Sequence, residues 1–279
     1  RANQSDRALG YAEAYIREKP DNWQGYYTQA QAFLAMARYD EARKSLERAA
    51  GANSKEISVK LLLAETYRVP ATRASNSKDS NSLKSSIAQY ASAAEVLEKI
   101  QAPEGPKKID VQVKAGMVAK ETARTMQILA ARLDEEALGA EAKRDPNSLA
   151  RRDRLRAEAG TCRDQAAEMR KKAKDLLLAA VTSDPSQDAP ASALVDLCLS
   201  QRDEKTLAAV KDAILKTEDR PPLTTTKLML RDLRSEELDP NSKLQAPPSL
   251  DPQKAAFARG VLEGILVKHP GNIQVELGL

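Results

Sequence analysis

Nucleophilic or metal-centred chemistry in this 279-residue chain would have to draw on one histidine, His269, two cysteines, Cys162 and Cys198, and the carboxylates. A Ser–His or Cys–His pair needs a base within hydrogen-bond reach of its nucleophile and a third group to orient that base. His269 lies in "KHPGN", a turn between helical runs, where the imidazole reads as solvated. Cys162 and Cys198 sit in helical contexts and read as small buried side chains; two cysteines leave both a disulfide and the redox compartment open. No spacing of His, Cys and carboxylates matches a metal site. "PEGPKK" has neither the P-loop nor the dinucleotide pattern. Glu121, Asp134, Glu135 and Glu136 alternate with Arg and Lys, as on solvated helix faces laced with i,i+4 pairs. The expectation is a chain that is not an enzyme and carries no cofactor and no metal.

Charge gives the next class of function. The chain has 44 basic and 40 acidic residues, a net +4, so no general excess calls for nucleic acid or an anionic membrane. The most basic segment runs through Arg151, Arg152, Arg154 and Arg156 to Arg170–Lys174. Helical-repeat proteins can bind RNA through such surfaces. Here Asp153, Glu158, Asp164 and Glu168 interrupt the run, and no aromatic side chains are interleaved for base stacking. Nucleic acid is therefore disfavoured as a partner. The basic residues also spread around the helix without leaving a broad apolar face, which disfavours membrane-surface binding. No run of 18 apolar residues exists, so the chain inserts no span into a bilayer.

The elements that would position any site are helices. Hydrophobic residues make up 42 % of the chain, aromatics 4 % and charged residues 30 %, a balance rich in Ala, Leu, Glu, Lys and Arg. A core built on Ala favours close helix–helix contacts between near neighbours. Yet Trp23 to Ser54 alone holds the single Trp, one of two Phe (Phe33) and three of seven Tyr (Tyr26, Tyr27 and Tyr39). Helix-ending phrases recur at Pro20, Pro103, Pro146, Pro185, Pro221 and Pro270. After Pro103 the spacings are 43, 39, 36 and 49 residues.

Tyr39-Asp40-Glu41-Ala42, followed by Leu46 and Ala49, resembles the second helix of a tetratricopeptide repeat (TPR), and Tyr26, Ala30 and Phe33 match its first helix. Pro20 to Ser54 spans 34 residues, the period of that family. In this register Ala30 and Ala42 let the helices approach, while Tyr26, Phe33 and Leu46 fill the space around the contact. Gln29 stands where the family prefers a buried Leu, and Ser54 where it prefers Pro. Ala8, Ala12 and Tyr15 fall in second-helix positions of a preceding unit.

The resemblance implies an all-α, right-handed superhelical solenoid of antiparallel helix hairpins, with a concave groove lined by first helices. Carried onto this sequence, the groove positions are Gln24, Tyr27, Gln31, Leu34 and Ala35, then Ser58, Leu61, Glu65 and Arg68. Family members that clamp a peptide's terminal carboxylate use Lys and Asn where this chain has Tyr27, Gln31, Leu61 and Glu65, so that clamp is missing. The implied function is a non-catalytic scaffold binding a protein or peptide. The rival readings are a regulatory or substrate-docking region of a larger enzyme or complex and a helical-repeat RNA binder. Self-association through uncapped array ends stays open.

The expected organisation has three parts. Residues 1–102 hold TPR-like repeats, with an extended loop over 70–82, where "PATRASNSKDSNS" lacks large apolar residues. Residues 103–220 hold degenerate long-helix repeats, with 109–144 as one long helix or two. Residues 221–279 hold a proline-rich linker and a partial repeat. Both ends read as cut from a longer array, and the compartment is open.

Overall fold

In the computed structural model the described residues are 2–143, 145–216 and, toward the C-terminus, 256–257, 259–261, 263–264 and 267. The expectations for His269, the linker over 221–252 and the last partial repeat lie outside them. The described residues are all-α. They comprise α1 (Ala2–Glu18), α2 (Trp23–Ala35), α3 (Tyr39–Ala52), α4 (Ile57–Ala74), α5 (Ser80–Glu98), α6 (Pro106–Glu141), α7 (Pro146–Ser183), α8 (Asp188–Gln201) and α9 (Glu204–Leu215). Two compact units divide the chain, residues 1–172 and 173–279. The expected boundary at 102/103 falls inside the first.

Helix starts follow from local capping. Asn22 accepts from the Gln24 backbone N–H at 2.9 Å before α2, Asp79 from Ser82 N–H at 2.8 Å before α5, and Asp203 from Thr206 N–H at 3.1 Å before α9. Pro106 opens α6 just inside its start, where its missing N–H costs nothing. Short turns then fold each helix back on its neighbour. Residues 36–38 join α2 to α3, with Ala37 at φ 59°, and residues 202–203 join α8 to α9, with Arg202 at φ 54°.

The α2/α3 hairpin carries the TPR-like seam. Ala30, Ala42, Leu46 and Ala49 are fully buried and Phe33 nearly so. They form one cluster with Val59 of α4, flanked by Leu9, Trp23, Tyr26 and Tyr27. From α2 at Trp23 to α4 at Ile57 is one 34-residue period. Gly25 permits a close approach to α1, because a Cβ there would stand 2.8 Å from Ile16 Cγ1 and 3.0 Å from Tyr15 Cδ1. The polar Gln29 is accommodated by a hydrogen bond, which Ser45 Oγ of α3 donates to its side-chain oxygen at 2.8 Å.

The extended loop expected over 70–82 is not there. α4 continues through Pro70 to Ala74, and α5 starts at Ser80, leaving only residues 75–79 between them. Tertiary packing overrides the proline. Ala71 is fully buried in the cluster that Ile57 and Ala64 form with Tyr90, Ala93 and Leu97 of α5 and Val118 of α6. Ser86 Oγ donates to the Ala71 carbonyl across the helix pair. The Ser, Asn and Asp residues act as a cap and short turn: Ser77 Oγ accepts from Asp79 N–H at 3.1 Å, and Asp79 caps α5.

Residues 109–141 lie in one helix, α6, whose 36 residues bury Gly116, Ala119, Ala123, Leu129 and Leu133 along one side. α7 lays Ala159 and Cys162 against Leu83 of α5 and Leu129, Ala130 and Leu133 of α6. In the second unit α8 and α9 pair as a hairpin through Leu194, Leu197 and Cys198 and through Val210 and Ile214, all buried. Val261 is buried there as well.

Candidate functional site

The residues expected to line a groove divide into two groups. On α2, Gln24 and Gln31 are exposed, Ala35 is exposed, and Tyr27 and Leu34 are half-buried. The Tyr27 ring meets Trp23 edge-on, with centroids 5.8 Å apart and planes at 72°. Such a pair is held by the complementary edge and face of the two π-systems. Tyr15 of α1 is fixed nearby: Asn22 Nδ2 donates to its hydroxyl at 3.0 Å and Lys19 lies over its ring at 5.5 Å. Tyr11, one turn earlier, is 70 % exposed.

Together these side chains border an open cleft of about 580 Å³ between α1 and α2, bounded by Tyr11, Tyr15, Trp23, Gln24, Tyr27 and Gln31. A second cleft of about 750 Å³ shares Thr28 and Gln31 and extends along α1 toward Gln4 and along α2 toward Met36. Asp6 is the one ionisable carboxylate lining either cleft. The surface is thus aromatic, amide-bearing and nearly uncharged.

On α4 the expected groove residues are half-buried and turned to internal work. Leu61 packs against the α4–α5–α6 cluster. Arg68 Nε donates to Glu65 Oε2 at 2.9 Å and its Nη1 donates to Glu121 Oε1 of α6, also at 2.9 Å. Lys114 Nζ of α6 donates to Glu65 Oε1 at 2.8 Å. Burial disfavours the Glu65 charge, but the hydrogen bonds from Arg68 and Lys114 outweigh it and hold the carboxyl below its ordinary value. Thr72 Oγ1 reaches the other Glu121 oxygen at 2.9 Å and accepts from the Tyr90 hydroxyl at 3.1 Å. Ser58 lies in the first turn of α4 and donates its backbone N–H to the side chain of Glu56, which caps the helix, at 3.2 Å. Sequence reasoning placed Glu65 and Arg68 among the groove positions that the family register implies. It had no access to Lys114 and Glu121, some 50 positions on, which meet them.

Several residues of the basic segment on α7 are similarly engaged. Arg152 pairs with Asp153 at 2.7 Å, Arg156 with Glu141 at 2.8 Å, and Arg151 lies 3.9 Å from Glu136. Arg163 pairs with Asp134 and Lys172 with Glu98. A smaller recess of about 250 Å³, which the sequence did not signal, lies among Ile87 and Ala94 of α5, Ala119 and Met126 of α6 and Met169 of α7. Among the described residues no group of three or more His, Cys, Asp and Glu side chains is placed to hold a metal ion. No described helix is long and apolar enough to cross a membrane. Both thiols are free and buried.

No family model matches the sequence, and neither does any curated protein. Among solved structures, the crystal structure of the TPR domain of P58(IPK) at 2.5 Å is 16 % identical over 98 % of this chain and 82 % of that one, with a TM-score of 0.29. A monomeric mutant of IFIT1 with Gppp-AAAA is 12 % identical over 97 % of this chain and 62 % of that one, with a TM-score of 0.28. The all-α, TPR-like assignment is carried by the helix pairing and the small-residue seam of α2 and α3.

Proposed function

We propose that the chain is a non-catalytic interaction scaffold that binds a protein or peptide partner, with the contact centred on Tyr27, Gln24, Gln31 and Leu34 of α2. One observation carries the reading: Gln24, Tyr27 and Gln31 border an open, nearly uncharged cleft, while Glu65 and Arg68 are committed to ion pairs with α6. Rigid aromatic rings supply contact area at small entropic cost, and exposed amides supply adaptable hydrogen bonds. Ser58, Leu61, Glu65 and Arg68 then hold the helices that present the surface and contribute less contact of their own. The ion pairing of Arg151, Arg152, Arg156 and Arg163 favours this reading over an RNA-binding one, because a guanidinium already paired with a carboxylate neutralises phosphate less and so frees fewer of the nucleic acid's counterions.

The test is affinity capture from the source cells with the wild-type chain, a Tyr27→Ala/Gln31→Ala variant and an Arg48→Ala variant on the exposed side of α3. The reading expects a captured protein to be lost with the first variant and retained with the second. Equal capture by all three would overturn it.

A further inference from the structure

Three helices in the middle of the first unit enclose the recess of about 250 Å³ that the α2 surface does not use. It follows Ala91, Ala94 and Glu98 along α5 and Ala115, Ala119 and Met126 along α6, and Met169 and Lys172 of α7 close its third side. Alanine makes the space. Tyr90 and Val118 fill the α5/α6 contact, and the alanines beside them leave room that larger side chains would take. The interior offers water nothing to bind. The Tyr90 hydroxyl donates to Thr72 of α4 at 3.1 Å, and the Thr122 hydroxyl donates to the Val118 carbonyl of its own helix at 2.7 Å. A buried water needs about two to four polar partners, whereas a cavity lined by apolar groups stays dry and takes apolar ligands. Met126 and Met169 are unbranched, so the walls adapt to what enters.

Charge is confined to the rim, where the side chains of Glu95, Glu98 and Lys172 are 67, 61 and 43 % exposed. Lys172 pairs with Glu98. Glu95 pairs with Lys99 one turn along at 2.6 Å, an exposed contact of small worth. The lining thus sets two carboxylates against one ammonium, and positions three apart on a helix are neighbours that one cation can reach together. We infer that the recess binds a small amphiphilic amine, its apolar body between the alanines and methionines and its ammonium group at Glu95 and Glu98. The site is separate from the α2 surface and does not rest on the reading above. Volume sets the size of the occupant: benzene fills an engineered apolar cavity of about 150 Å³, so this one takes a ring with a chain of about four carbons. A helix, about 10 Å across with its side chains, is too wide for it. A carboxylate in place of the amine would set like charge against Glu95 and Glu98.

The test titrates phenylbutylamine into the full 279-residue chain with isotope-labelled methionine methyl groups, read by NMR. Met126 and Met169 wall the recess, and Met36, at the end of α2, is the control. Saturable shifts at Met126 and Met169 are expected with Met36 unmoved, at a Kd of about 1 mM or tighter. Ala91→Phe, at an exposed position of the lining, should fill the recess and abolish the shifts with helicity unchanged. Glu95→Gln/Glu98→Gln should weaken binding of the amine about fivefold. Phenylbutyrate, a ring and chain ending in a carboxylate, should bind the wild-type chain more weakly than the amine by at least that factor. Absence of saturable shifts, shifts at Met36 as large as those at Met169, or phenylbutyrate binding as tightly as the amine overturns the inference. So does undiminished binding to either variant, and the Gln pair, which alters no buried contact, decides the matter if Ala91→Phe perturbs the fold.

Discussion

Arg68 of α4 donates to Glu121 of α6 at 2.9 Å, and the same guanidinium donates to Glu65 on its own helix. One cation thereby holds two carboxylates, with Lys114 completing the set. The side chains are about three-quarters removed from solvent, so the pairs are worth more than exposed ones and less than fully buried ones. Arg68→Ala leaves Glu65 and Glu121 with one ammonium between them. It should destabilise the first unit by about 1–3 kcal/mol in urea unfolding, whereas an Arg68→Met/Glu121→Gln double variant, which leaves the Glu65–Lys114 pair intact, should recover much of that loss.

The bond between Gln29 and Ser45 replaces an apolar contact in the α2/α3 seam. Gln29→Leu alone leaves the buried Ser45 hydroxyl without its acceptor and should cost about 1–2 kcal/mol. Gln29→Leu with Ser45→Ala removes both halves and should return stability to wild type or above, which a double-mutant cycle by thermal unfolding reads directly.

Asp203 is a cap under strong electrostatic load. The hydrogen bond from Lys174 at 2.8 Å, then those from the Thr206 hydroxyl and backbone N–H, bring its carboxyl down to about 2. A depressed carboxylate contributes stability that is fully present above its unfolded value, near 4, and is lost as pH falls toward 2. Melting of the second unit should therefore weaken between about pH 4 and pH 2. Asp203→Asn should flatten that dependence, and Asp203→Ala should cost about 1 kcal/mol at neutral pH through the lost cap.

The two thiols should be inert in the folded chain. Burial pushes Cys198 up to about 11, and burial, aided by Glu158, raises Cys162 as well. Only the thiolate attacks, so alkylation at pH 8 should proceed only as fast as the protein opens. Labelling of either cysteine at the rate of a free thiol would contradict the packing of α7 or α8.

Ala30, Ala42, Leu46 and Ala49 announced the α2/α3 hairpin because small-residue contacts and their helical spacing are local properties of the chain. The cleft between α1 and α2 was not legible in the sequence, because its α1 wall, Tyr11, Ala12 and Tyr15, meets α2 only in the folded chain. Pro70 misled, since a proline in a Ser- and Asn-rich stretch looks like a stop. Burial of Ala71 under Tyr90 keeps α4 helical beyond it, and that contact joins residues 19 apart. The commitment of Glu65 and Arg68 was hidden for the same physical reason: their partners lie on α6. On α5 the buried seam runs through Leu83, Ser86, Tyr90, Ala93 and Leu97, while Ala91 borders the recess shared with α6, a difference of about one residue around the helix that periodicity alone does not resolve.

The central claim, that the α2 surface meets a partner, is tested most directly by site-specific photocrosslinking in cells. A photoreactive residue is placed at Gln31 on that surface and, separately, at Arg48 on the exposed side of α3. The account predicts one discrete crosslinked species from position 31, absent from position 48 and abolished by Tyr27→Ala. Crosslinks from position 48 with none from position 31 would contradict it and move the contact to the opposite face of the hairpin.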